Sequence, residues 1–94
     1  MQLEDAEQVV AALQERRVFA HVYRGGVGRH GVRVVVGDGR EALWDADGAA
    51  GLEAQIMRDG VLVGFVPKIP GSENWDLGMT VAAIAATDYD ATGA

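Results

Sequence analysis

With 94 residues the chain has room for one hydrophobic core, and with 49% apolar and 23% charged residues its composition is globular rather than disordered. The absence of cysteine excludes disulfides, thiolate metal sites and cysteine nucleophiles, and a formal net charge of −6 argues against a general nucleic-acid binder, whose affinity rests on neutralising phosphates. The first residues are acidic where a signal peptide is basic and then apolar, and no stretch approaches the roughly 18 apolar residues of a membrane span, so a cytoplasmic protein is expected.

In chain order, Leu3, Ala6, Val9, Val10 and Leu13 recur at helical spacing, with Glu7, Gln8, Gln14 and Glu15 turned away, and Asp5 is read as the N-cap. From Val18 the period becomes two. Residues 18–24 and 32–36 are rich in β-branched and aromatic side chains and read as a hairpin around a glycine-punctuated turn over 25–31. Gly37-Asp38-Gly39 supplies a second turn into a strand over 40–44. A loop of small residues over 45–51 precedes a strand in which Leu52, Ala54 and Ile56 alternate with Glu53, Gln55 and Met57.

Asp59-Gly60 is the strongest hairpin turn in the chain. The strand after it, 61–66, is apolar at every position apart from Gly64, which predicts a place inside the sheet or cover on both faces. Pro67 and Pro70 lack backbone donors and bound a connecting loop. An alanine-rich helix over 80–87 follows, capped by Thr80 or Asp76, with a strand as the alternative, and the tail from Asp90 should fray. The predicted fold is therefore α+β, a five-stranded antiparallel β-meander with an N-terminal and a C-terminal helix, in a single domain over 1–94. Two helices can cover only one face of such a sheet, leaving the other to solvent or a partner.

The motifs that suggest chemistry weaken in context. Gly26-Val27-Gly28-Arg29-His30-Gly31 matches the dinucleotide fingerprint in letters, but it opens into a strand, whereas a pyrophosphate needs the N-terminus of a helix. Asp45-Ala46-Asp47-Gly48 begins like a calcium loop and then places Ala49, Ala50 and Ile56 where ligands or the turn glycine belong. Two histidines are too few for a histidine-built metal site, and Ser72, the one serine, has no nucleophile-elbow context that would favour a triad with His21. No cofactor, metal or catalytic residue is expected.

Two places are worth probing. Between Arg16 and Gly37 there are five arginines and no acid, so Arg24, Arg29, His30 and Arg33 at the first hairpin form a candidate anion or acidic-partner site. Trp75, after the proline-bounded loop, reads as a lid over the core or as an exposed anchor. The expected function is that of a small non-enzymatic protein-interaction or regulatory module, its partner another protein, with self-association into a homodimer through the open face or an edge strand. The alternative is a small-molecule binder or simple enzyme with His21, Tyr23 and Trp44 lining a pocket between sheet and helix. A further alternative is an acidic inhibitor that mimics nucleic acid.

Overall fold

The computed structural model of the chain describes residues 1–26, 29–46 and 51–89. Helix α1 (Leu3–Glu15) is followed by strands β1 (Ala20–Gly26), β2 (Arg29–Val35), β3 (Arg40–Ala46), β4 (Leu52–Arg58) and β5 (Val61–Val66), a short 3-10 turn (Ser72–Asn74) and helix α2 (Leu77–Ala86). Each strand pairs antiparallel with the next, in sequence order, so the α+β meander expected from the sequence is the architecture of the chain.

The apolar stripe of α1 faces the sheet, with Ala6, Val9 and Leu13 wholly buried. A 13-residue helix is marginal in isolation, and burying such side chains, at about 1.5–3 kcal/mol for each large one, is what holds it in place. Its start differs from expectation. Gln2 occupies the N-cap without a side-chain bond, and Asp5 lies in the first turn, where with Glu4 it complements the positive end of the helix dipole. Leu3 is correspondingly exposed.

Strict alternation on β3 and β4 sends Ala42, Trp44, Leu52, Ala54 and Ile56 to the same face as Ala20, Val32 and Val34, where Val81 and Ile84 of α2 join them and α1 in one cluster. Asp38 and Gly39 turn β2 into β3 at φ 67° and 74°, and Asp59 and Gly60 turn β4 into β5 at φ 52° and 80°. Both turns use the residue types that tolerate left-handed backbone.

Helix α2, not a strand, closes the described part of the chain. The Asp76 side chain accepts from the Met79 amide at 2.8 Å, capping the helix three residues ahead of the stretch predicted from its alanines. In the loop before it, buried Ser72 accepts from the Leu52 amide through Oγ and donates to the Ile69 carbonyl, which anchors the start of β4. Its hydroxyl is thus engaged in holding the loop. The tail from Asp90 lies outside the described residues, and among those described no helix is long and apolar enough to cross a membrane.

Two expectations are corrected. The first hairpin has no seven-residue turn, because the ladder continues through Arg24 opposite His30 and Gly26 opposite Arg29, with positions 27 and 28 outside the described residues. Most of the glycine-rich stretch is strand. The second correction concerns β5, which is neither interior nor covered on both faces: it is the last strand of the sheet, with Val61, Leu62 and Phe65 exposed at 62%, 55% and 61%. An all-apolar strand reads as central from its sequence, yet among the described residues no further strand flanks it.

Candidate functional site

Among the described residues, no element covers the face of the sheet turned away from the helices. It carries Tyr23 from β1, Arg33 from β2, Leu43 and Asp45 from β3, Glu53 and Gln55 from β4, and Leu62 and Phe65 from β5, as the register and alternation require. The twist of the sheet makes this face concave over a volume of about 450 Å³, with Tyr23, Leu43, Leu62 and Phe65 among its lining and Arg29, Asp45 and Glu53 also on its walls.

The basic residues of the first hairpin separate. Arg24 and His30 oppose one another, the first exposed and the second half-buried. Arg29 instead pairs with Asp45 at 2.6 Å, and Arg33 pairs with Glu41, diagonally across β2 and β3. The carboxylates come from a strand that follows the arginine-rich segment, so the sequence interval without acids does not become a surface without acids. Exposed pairs of this kind are worth about 0.2–1 kcal/mol each and mainly orient the side chains.

The three residues proposed to line a pocket between sheet and helix are also distributed. Trp44 is fully buried beneath the helices, whereas His21 is exposed and Tyr23 half-buried on β1, both alternating away from the core side. Trp75 is half-buried and packs against the core cluster, as a lid does. No cluster of three or more potential metal-ligating side chains occurs among the described residues.

Trp44 has a partner that the sequence did not reveal. Its indole Nε1 donates to the Tyr89 hydroxyl at 2.9 Å, and the two rings meet edge to face with centroids 6.5 Å apart. Burial pushes the Tyr89 phenol above its ordinary value, with the bond from Trp44 pulling partly back. The folded chain therefore holds this proton more tightly than the unfolded one. The resulting stability is fully present below about pH 10 and is lost as pH rises through the folded-state value. Tyr89→Phe is expected to flatten that alkaline loss, seen as a smaller fall in urea midpoint between pH 9 and 11 than in the wild-type chain; equal slopes would show that Tyr89 is not the group responsible.

The two edges of the sheet differ in how they end. On β1, the Val35 amide donates to the Phe19 carbonyl, so the Ala20 carbonyl points outward, where Gln14 Nε2 of α1 donates to it at 2.9 Å. That strand also carries His21 and Arg24, and an edge that is charged and partly bonded resists further pairing. On β5 there is no charge between Asp59 and Lys68, and β4 is the one element with which it has an extended contact among the described residues. Sequence reading missed Leu62 and Phe65 as surface residues, although Pro67 directly after the strand is the kind of residue that marks an edge. No protein-family model matches the chain, and no curated protein or solved structure matches it either.

Proposed function

We propose that the chain is a small protein-interaction module that engages its partner along β5 and the adjoining part of the uncovered sheet face. One observation carries this reading: β5 is an apolar, uncharged edge strand whose Val61, Leu62 and Phe65 are more than half exposed. An uncharged edge offers a row of backbone donors and acceptors, here interrupted by one inserted residue in β5, and the side chains beside it supply selectivity, which is the physics of strand addition. Leaving such a strand uncovered invites non-specific association, whereas an added strand satisfies its backbone and covers its side chains.

A small-molecule reading is supported by two concavities within the usual size of ligand pockets, one of about 450 Å³ on the sheet face and one of about 410 Å³ beside the end of α1, where His21 and Phe19 line the wall. Leu62 and Phe65 on the wall of the first and Phe19 on that of the second are, however, more than half exposed, so a ligand would be poorly enclosed in either. The acidic-mimic reading is weakened by Arg29 and Arg33, which neutralise Asp45 and Glu41 on the same face. The interaction reading is tested by quantitative affinity capture from the native cell with three baits: the wild-type chain, Leu62→Glu with Phe65→Glu, and Phe19→Glu. Phe19 is 74% exposed at the opposite side of the sheet and serves as the control. Partners should be depleted about tenfold or more by the β5 bait and retained by the Phe19 bait; an unchanged set on the β5 bait, with its circular dichroism unaltered, would overturn the reading.

A further inference from the structure

We infer that the occupant of the β5 edge is β5 of a second copy of this chain, paired antiparallel about a two-fold axis between Val63 and Gly64. This rests on the reading of β5 as the binding edge and names what binds there. A two-fold interface must be self-complementary, since each residue that meets another is met by it in return. In this register Leu62 lies opposite Phe65 of the other copy and Val61 opposite Val66, while beyond each end of the strand the left-handed turn at Asp59 of one copy comes to the loop after Val66 that carries Lys68 of the other. Both ends therefore bring unlike charges together.

The face of each side chain selects the register. Directly opposed residues in an antiparallel pair lie on one face of the sheet. In a regular strand, positions three apart lie on opposite faces, but β5 has one inserted residue between the positions opposite Ile56 and Met57. Leu62, opposite Met57, and Phe65, opposite Gln55, consequently share the uncovered face, whereas Val61 and Val66 share the other. Moving the register by one residue in either direction sets Leu62 against Gly64 or Val66, on the wrong face. Moving it by two separates Asp59 from Lys68. Paired as proposed, Leu62 and Phe65 of both copies form one continuous apolar strip beside the two concavities.

The inserted residue also bends β5 at the axis, which weakens the central hydrogen bonds and leaves the outer pairs to hold the contact. Six residues a side form a small interface, so the dimer is expected to dissociate with a constant of about 10–100 μM. The β1 edge, with Gln14 bonded to the Ala20 carbonyl and Arg24 on the strand, does not compete.

Lys68 is the only lysine in the chain, which makes the pairing directly readable. Asp59 and Lys68 of one copy stand at opposite ends of β5, roughly 20 Å or more apart at about 3.3 Å per strand residue, so a zero-length cross-link cannot join them within a chain. An equal mixture of 14N- and 15N-labelled full chain at about 0.5 mM is treated with a water-soluble carbodiimide, digested and analysed by mass spectrometry, alongside sedimentation over a concentration series. Expected are isotopically mixed Asp59–Lys68 peptides and a reversible dimer. Lys68→Asp, in an exposed loop, should weaken that dimer about fivefold or more by facing carboxylate with carboxylate, and adding Asp59→Asn, which suits the left-handed turn position, should recover part of the loss. A monomer at 0.5 mM overturns the inference, as does a dimer that lacks the Asp59–Lys68 link and is indifferent to Lys68→Asp. In either case the wider reading of β5 stands or falls separately, on whether the Leu62 and Phe65 substitutions deplete captured partners.

Discussion

Trp44→Ala is expected to destabilise the chain by about 3–5 kcal/mol, toward the upper end of what a single core truncation costs. Trp44 is the largest fully buried side chain, and its sheet neighbours are Val32 on β2 and Ala54 on β4. Both are held by the ladder, and Ala54 is too short to move into the space, so the cavity stays open. Truncation also removes the indole donor to the Tyr89 hydroxyl and the ring against which Tyr89 packs. Small domains have only about 5–15 kcal/mol in total, so the variant should approach the threshold of folding. Urea denaturation checks this: with a slope of about 1–3 kcal/mol per molar, the midpoint should fall by roughly 2 M. Phe65→Ala, at a position 61% exposed, should change stability by less than about 1 kcal/mol. If Trp44→Ala and Phe65→Ala proved equally mild, the assignment of Trp44 to the core and Phe65 to the exposed edge would be wrong.

Gly31→Ala is the second large effect and comes from one methyl group. A Cβ at this position would stand 2.2 Å from the carbonyl oxygen of Trp44, a contact with backbone rather than with a side chain that can swing aside. Relief requires β2 and β3 to separate where Val32 faces Trp44, directly over the core. Overpacking of this kind costs about 1–3 kcal/mol, and more where the neighbour is fixed. Gly37→Ala is the matching control, since a Cβ there meets nothing within 4 Å and should leave the midpoint nearly unchanged. Should Gly31→Ala melt with the wild-type chain, the close approach of the two strands is not as described.

Gly31 also explains why a phosphate-binding fingerprint appears in a chain without the helix that such a motif serves. It is the final glycine of Gly26-Val27-Gly28-Arg29-His30-Gly31, and its place in β2 against β3 accounts for the missing side chain. Reading the stretch as a hairpin turn, rather than as a cradle, followed from the absence of a helix after it. The extent of the ladder did not follow, because glycines punctuate turns and also mark close backbone approach, and only the neighbouring strand distinguishes the two.

The candidate site was less legible than the fold for a similar reason. The arginines of the first hairpin were visible as a local excess of charge, but their partners Glu41 and Asp45 arrive from β3 through the register of the sheet. His21, Tyr23 and Trp44 seemed to belong together by residue type, yet strand alternation sends Trp44 to the helices and the other two away from them. Tyr89 was passed over because its partner Trp44 lies 45 positions earlier, a separation at which periodicity carries no information.

What the amino-acid order determined by itself was local. The 3.6-residue stripe of α1, the alternation of β4 and the left-handed turns at Asp38-Gly39 and Asp59-Gly60 each depend on residues within a few positions of one another, where backbone sterics and side-chain periodicity act directly. Tertiary structure decided which strand became an edge. Val61 to Val66 would serve as a central strand wherever a sixth strand stood beside it, and nothing within those residues states that none does. Edge or centre is a property of the neighbours, and it leaves Leu62 and Phe65 exposed at the rim of the sheet.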